Sequence, residues 1–245
     1  MKLTHRMMTY AAMAAVFAVA SAAQAVPIYD TFGPLDTATF GGQGIPNDEV
    51  AISSQFVDGN ILITVAMSAT QRYSNPALTN DGAGTYFATA GSNFGGNNES
   101  LLEGALWNFN YYMKVEGING AMPKLTDYQI DLFYDFDTGE DTFIGNLGSI
   151  NFTNAINASP NPNATLVEGS ENLNFAYLAT SVPGFINAPS GSFDPNALGE
   201  YNFGIQVSRA GWGIETVAMD VQIIPEPATM GLLAIGGIAL IRRRR

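Results

Sequence analysis

An alternation of apolar and polar residues recurs along the middle of the chain and constrains its fold more than any other feature. Between residues 107 and 116 an apolar residue occupies every second position, from Trp107 to Val115, and mainly polar residues stand between them. A period of two is typical of a β-strand with one buried and one wet face. The same pattern runs through residues 128–137, 201–207 and 217–223, and weaker versions lie at residues 50–56, 61–67 and 173–179.

These segments are separated by Gly, Asn, Pro and Asp, and no long amphipathic helix pattern interrupts them. Short half-buried strands with turn residues at each break predict an all-β domain, built as a two-sheet antiparallel β-sandwich of the jelly-roll kind. A barrel is the alternative arrangement.

Three connections, at residues 71–100, 145–170 and 182–200, are longer than simple turns, and a short helix is expected near residues 101–106.

The first 25 residues have the composition of a secretory signal peptide. Basic residues precede a mostly apolar run at residues 7–22, and Ala23 and Ala25 form a small-x-small cleavage site. We therefore expect a signal peptidase to act on the chain and the mature protein to begin at Val26. An uncleaved N-terminal membrane anchor is the alternative.

The last residues form a second segment with an unusual composition. Pro225, Glu226 and Pro227 give it an extended start, because each proline fixes its own φ angle and disfavours helix in the residue before it. The uncharged run at residues 228–241 would rise about 21 Å as a helix, which is short for a permanent membrane span. Four arginines follow and would hold this end on the cytoplasmic side of a membrane; they are Arg242, Arg243, Arg244 and Arg245.

Residues 224–245 resemble the PEP-CTERM sorting signal of exported bacterial proteins. The resemblance implies that an exosortase-type enzyme cleaves near residues 225–227 after export, while the tail is anchored transiently in the inner membrane. It also implies a destination at the cell surface or in the extracellular matrix, and for many members an association with the exopolysaccharide of biofilms. The expected organisation is a signal peptide at residues 1–25, a β-sandwich ectodomain at residues 26–223 and the sorting signal at residues 224–245.

The expected ectodomain is strongly acidic. It holds 21 of the 22 acidic residues of the chain and only four basic residues, which leaves a net charge of −17 up to Ile224. Such a field repels phosphate groups, so nucleic acid is excluded as a partner, whereas divalent cations are attracted. A surface that is acidic for solubility alone is the simpler interpretation.

Cysteine is absent, and the single histidine, His5, lies in the signal peptide. The mature domain therefore has no disulfide, no typical zinc site, no Ser-His-Asp triad and no cysteine nucleophile. We expect no enzyme activity. Paired carboxylates, as in a glycoside hydrolase, are the chemistry that survives.

An acidic turn follows the pattern at residues 128–137. Its carboxylates, from Asp135, Asp137, Glu140 and Asp141, provide enough oxygen atoms for a calcium ion, which prefers several oxygen ligands from a flexible loop. The match to a calcium loop is incomplete, because no third Asp precedes Gly139 and no Glu stands at the twelfth position. The alternative is a solvated hairpin whose charges oppose aggregation. Calcium is the only cofactor that the sequence suggests.

Three tyrosines are candidates for stacking on sugar rings: Tyr112 on the wet side of its segment, and Tyr73 and Tyr86 in the neighbouring long connection. Two function classes follow. The first is an exported, non-catalytic surface or matrix protein associated with extracellular polysaccharide, and the second is a calcium-dependent carbohydrate-binding module. A glycoside hydrolase ranks third.

Overall fold

The structure is a computed structural model that describes residues 27–72, 76–93, 104–140, 142, 144–210 and 212–225. Strands dominate this part of the chain, as the alternating pattern predicts. In chain order they are β1 (Thr31–Gly33), β2 (Val50–Val57), β3 (Ile61–Gln71), β4 (Thr79–Asn80), β5 (Thr85–Thr89), β6 (Ser92–Asn93), β7 (Gly104–Ala105), β8 (Trp107–Gly117), β9 (Gln129–Tyr134), β10 (Gly148–Asn151), β11 (Leu166–Glu171), β12 (Ile186–Asn187), β13 (Gly199–Arg209) and β14 (Trp212–Ile224). One α-helix, α1 (Phe152–Ala158), lies among the described residues.

Two large sheets confirm the prediction of a two-sheet, all-β fold. The smaller has five strands in the order β1-β2-β3-β8-β11, and every pair in it is antiparallel. The larger has seven strands in the order β12-β10-β9-β13-β14-β5-β4. It is mixed, because β5 pairs with β14 in parallel while its other pairs are antiparallel. Strands β6 and β7 form a separate short pair.

The main hydrophobic core lies between the two large sheets. Trp107 and Phe109 of β8 contact Phe203 of β13, with ring centroids 6.0 and 4.8 Å apart. All three side chains are buried. The residues between them on β8 point to the opposite face of its sheet, as a period of two requires. The alternation seen in the sequence therefore corresponds to this inter-sheet contact.

A second, smaller core lies on the other face of the five-stranded sheet. Residues 34–49 cross this face, and Ala38 and Phe40 pack there against Tyr112. Glu168 of β11 holds the crossing segment in place: its carboxylate accepts hydrogen bonds from the backbone N–H groups of Thr39 and Phe40, at 2.8 Å each, and from the Thr39 hydroxyl at 2.6 Å. This face is therefore partly covered.

Two local predictions are wrong. Residues 173–179 form turns, because Phe175 and Leu178 each donate a backbone hydrogen bond to the residue three positions earlier. The expected helix near residues 101–106 is also wrong where the structure describes that region, since β7 lies there; residues 101–103 are outside the described residues.

Helix α1 was not predicted. The side chain of Asn151 caps it by accepting the N–H of Asn154 at 2.8 Å.

Asn172 joins the end of β11 to the start of β8. Its side chain is completely buried, and its Nδ2 donates to the carbonyl oxygens of Ala105 and Trp107 and to Asn108 Oδ1. Its Oδ1 accepts the N–H of Ala105 at 3.0 Å and that of Asn174 at 3.1 Å. One amide side chain thus satisfies backbone groups that the end of a strand leaves without partners.

We expect the substitution Asn172→Ala to destabilise the fold by roughly 2–4 kcal/mol, because several buried polar groups lose their partners at once. Urea denaturation followed by tryptophan fluorescence measures the change. The matched control is Asn187→Ala, which removes an exposed amide that donates one hydrogen bond to Ser149. Equal denaturation midpoints for the two variants would contradict this role for Asn172.

Candidate functional site

The sorting segment begins directly after a paired strand. Strand β14 ends at Ile224, which still pairs with Thr89 of β5, and Pro225 is the last described residue of the chain. No linker separates the sheet from the motif. The remaining predicted processing residues lie outside the described residues: Ala23, Ala25, Glu226, Pro227, Arg242, Arg243, Arg244 and Arg245.

The N-terminal end of the described chain meets the same strand. Ile28 forms an isolated bridge with Ala218 of β14: its N–H donates to the Ala218 carbonyl at 3.0 Å, and the Ala218 N–H donates back at 2.7 Å. Ile28, the residue that forms this bridge, stands three positions after Ala25, where the cleavage is predicted. Both predicted cleavage points therefore border the sheet that contains β14.

The acidic turn does not have the predicted geometry. Asp135 is fully buried, whereas Asp137 and Glu140 are exposed, so Asp135 and Asp137 do not share a wet face. Asp137 Oδ1 accepts the N–H of Gly139 at 3.0 Å, which closes a local turn. Asp141 lies outside the described residues. Within the described ranges, no three acidic side chains are grouped so as to hold a metal ion.

Asp135 instead joins a buried carboxyl network, which we define as Asp135, Asn202 and Asp220. Asn202 of β13 stands opposite Asp220 of β14 in the sheet register, and its Nδ2 donates to Asp220 Oδ1 at 3.1 Å. The backbone N–H of Asn202 donates to Asp135 Oδ1 at 3.0 Å. The ion pairs found among the described residues, Lys114 with Glu116 and Arg209 with Asp58, do not include these carboxyls.

Burial shifts both carboxyls of the network toward the protonated form. It raises the pKa of Asp135 to about 7, and the Thr142 hydroxyl and the Asn202 N–H offset part of this rise. It raises the pKa of Asp220 to about 8, where the negative charge of Glu200 adds to the effect and the Asn202 hydrogen bond opposes it. Asp135 Oδ2 has no hydrogen-bond partner among the described residues. The folded state therefore favours the protonated forms of the Asp135 and Asp220 carboxyls up to about neutral pH.

The buried carboxyl network is out of reach of a substrate. Asp135 is 0% exposed and Asp220 is 4% exposed. Proton transfer to a bound molecule requires hydrogen-bond distance, which such burial does not permit. We therefore expect the network to affect the free energy of unfolding and not a reaction on a bound molecule. Sequence reasoning missed Asn202 and Asp220 because their proximity depends on the β13–β14 register, which the alternating pattern does not specify.

Two of the three candidate tyrosines lie in the interior. Tyr86 and Tyr112 are each 1% exposed. The Tyr86 hydroxyl donates to the carbonyl of Glu49 at 2.8 Å, and the Tyr112 hydroxyl lies 3.2 Å from that of Thr37. The expectation that these two rings stack on a sugar is therefore corrected. The segment at residues 34–49 covers the face on which Tyr112 was predicted to be wet, and Tyr86 lies in the main core rather than in an open connection. Tyr73 lies outside the described residues.

A cleft of about 590 Å³ opens at one end of the five-stranded sheet. We call it the lysine cleft, because two of the four basic residues of the expected ectodomain line it. Its full lining consists of residues 114–117, residues 121–124, Asn163 and Thr165. No alternating pattern pointed to it, since it is formed by the end of β8 and two loops.

The family model described as the PEP-CTERM protein-sorting motif matches residues 224–245 and confirms the resemblance. The motif marks an exported protein that an exosortase-type system sorts, and that its C-terminus anchors at the membrane before processing. The comparisons with curated proteins and with solved structures gave no match. Within the described part of the chain, no helix has both the length and the apolar composition to cross a bilayer.

The buried carboxyl network predicts a pH-dependent stability. A carboxyl whose pKa rises on folding stabilises the native state below its ordinary value near pH 4, and this contribution is lost as the pH rises through the folded values of about 7 and about 8. Asp220→Asn keeps the acceptor for Asn202 but cannot ionise. We expect its melting midpoint to match that of the original protein at pH 4 and to exceed it at pH 9 by about 2–4 °C or more.

The control is Asp194→Asn, which removes one exposed negative charge and so reports the general effect of lowering the net charge. Calorimetric melts of all three proteins at several pH values give the comparison. If Asp220→Asn and Asp194→Asn follow the same pH profile, ionisation of the buried carboxyl does not control stability.

Proposed function

We propose that the mature domain is a non-catalytic component of the cell surface or extracellular matrix and is associated with extracellular polysaccharide. The observation that carries this proposal is the sorting motif at residues 224–245, placed immediately after the paired strand β14. The motif directs an exported chain to an exosortase-type system. We therefore expect a domain delivered in this way to function outside the cytoplasm.

Processing at both ends fits the boundaries of the folded domain. A signal peptidase cutting after Ala25 leaves Ile28 free to bridge to Ala218, and an exosortase-type enzyme cutting near residues 225–227 leaves β14 complete. Either cut placed further into the domain removes hydrogen bonds of the seven-stranded sheet. The processing enzyme on the C-terminal side therefore meets an extended peptide held close to a folded surface.

A non-catalytic role is supported by the chemistry that the mature chain contains. It has neither histidine nor cysteine, and the two carboxyls with near-neutral pKa values are buried. A glycoside hydrolase needs two accessible carboxyls across a cleft. A net charge of −17 up to Ile224 suits a soluble domain in a hydrated matrix and opposes binding to nucleic acid.

The sorting step is tested by changing Pro225, Glu226 and Pro227 together to alanine in the native host. We expect the original protein to reach the surface or medium without its C-terminal tail, and the variant to remain in the inner-membrane fraction with the tail attached. Cell fractionation with immunoblotting measures location and size.

The matched control is the triple alanine change at Pro160, Asn161 and Pro162, an exposed Pro-x-Pro sequence elsewhere in the same chain. This variant should be processed and located like the original protein. Identical fractionation of the Pro225 variant and the original protein would overturn the sorting step.

Association with polysaccharide is tested on matrix extracts from the same host. We expect the mature protein to co-elute with high-molecular-mass saccharide on a size-exclusion column, and to shift to its own size after periodate oxidation of the sugars. A protein that elutes at its own size before oxidation, free of sugar, would overturn the matrix role and leave the sorting step intact.

A further inference from the structure

The four basic residues of the expected ectodomain are unevenly distributed over its structure. Arg72 is buried over the ring of Phe175, 5.3 Å from its centroid, and Arg209 pairs with Asp58 at 3.4 Å. The other two cations, Lys114 and Lys124, both line the lysine cleft. In a domain with 21 acidic residues, half of the basic residues thus face one cavity.

The walls of the lysine cleft are held by backbone and side-chain hydrogen bonds. Val115 at the end of β8 donates its N–H to Thr165 at 2.8 Å, and Leu125 donates to Ala164 at 2.9 Å. The Thr126 hydroxyl donates to the carbonyl of Pro162 at 3.1 Å. These bonds join the end of β8 and residues 125–126, which flank the loop at residues 118–124, to the loop at residues 159–165. The cleft is thus preformed, and its volume lies within the range of about 300–1,000 Å³ found for small-molecule sites.

The charges of the cleft leave one cation without an ion pair. Lys114 pairs with Glu116 at 2.8 Å, and that hydrogen bond raises the pKa of Lys114. Lys124 makes no ion pair with any described residue. Its ammonium group is available to an anion inside the cleft. Two acidic groups lie nearby: Glu116 lines the cleft and pairs with Lys114, and the Asp127 carboxylate accepts the backbone N–H of Lys124 at 3.0 Å. The acidic groups elsewhere in the domain weaken this attraction little, because charges more than about 8 Å apart are largely screened at physiological ionic strength.

The rest of the lining is suited to a sugar ring. Met122 is 95% exposed and stands beside Pro123, so the two present an apolar surface at the rim. An exposed methionine can pack against the apolar C–H face of a pyranose. Asn163 and Thr165 supply hydrogen-bonding groups for hydroxyls. A cation, an apolar rim and neutral polar groups together match a sugar that carries a carboxylate.

We propose that the lysine cleft binds a carboxylate-bearing sugar residue of an acidic polysaccharide, with Lys124 pairing the carboxylate and Met122 packing on the ring. This assignment rests on the proposed function, and it specifies the class of polysaccharide and the residues that contact it. It needs no calcium ion, because the charge partner is an ammonium group.

The probe is trigalacturonate, with the uncharged trigalactoside and inorganic phosphate as comparisons. Calorimetric titration of the full chain in detergent at 50 mM NaCl should give binding of trigalacturonate at least about tenfold tighter than that of either comparison. Raising the salt to 0.5 M should weaken it. Absence of trigalacturonate binding, or equal binding of phosphate, overturns the proposal.

Two substitutions in the cleft should act in opposite directions. Lys124→Gln removes the unpaired cation and should weaken trigalacturonate binding about tenfold, whereas Glu116→Gln frees Lys114 and should strengthen it. The matched control is Arg209→Gln, which removes the same charge outside the cleft lining and should leave the affinity unchanged. Thermal melts establish that each variant is folded.

Unchanged binding in Lys124→Gln, or an equal loss in Arg209→Gln, overturns the assignment to the cleft. Either result is distinguishable from failure of the proposed function, which is decided by co-elution of the original protein with matrix saccharide. A protein that co-elutes but binds trigalacturonate independently of Lys124 keeps its matrix role and loses this site.

Discussion

The pairing of β14 within the seven-stranded sheet holds the inter-sheet core, the N-terminal segment and the sorting tail together. This strand pairs along its length with β13 on one side, and with β5 and Ile28 on the other. Its alternate residues Val217, Met219, Val221 and Ile223 are buried in the inter-sheet core. The same strand leads into Pro225 without a linker. The core, the attachment of the N-terminal segment and the position of the sorting tail therefore all depend on β14. A cut that removes β14 disrupts the sheet, whereas a cut after β14 leaves the fold complete.

The strand also carries a destabilising group. Asp220 is buried close to Asp135, and among the described residues Asn202 and Thr142 compensate for part of the lost hydration of the two carboxyls. Burying carboxyls without a cation favours their protonated forms, which explains why the pKa values rise to about 7 and about 8. In a domain without disulfides, stability then rests on burial and sheet pairing, and the network lowers the stability as the pH rises from about 4 through the folded pKa values of about 7 and about 8.

Strands were predictable wherever one face is buried and the other polar. The alternation on β8 and β13 corresponds directly to side chains such as Phe109 and Phe203 that meet between the sheets. The alternating pattern could not indicate that another segment of the chain covers the outer face of the five-stranded sheet. Tyr112 alternates correctly but faces the segment at residues 34–49, so the position that looked wet is buried. Residues 173–179 have strand-like apolar spacing, yet Asn172 directs the chain into turns. The parallel β5–β14 pair, the carboxyl network and the lysine cleft all require residues that are distant in sequence, and short-range periodicity contains no register between such residues.

We infer that processing leaves a complete β14 at the C-terminus of an exported domain. Mass spectrometry of the C-terminal peptide, on protein released from the surface of the native host, tests it most directly. We predict that the mature chain ends at or shortly after Ile224, within the motif at residues 225–227 or just beyond it, and lacks Arg242 to Arg245. A mature chain that ends within residues 212–223, or that still carries the four arginines at the cell surface, would contradict it.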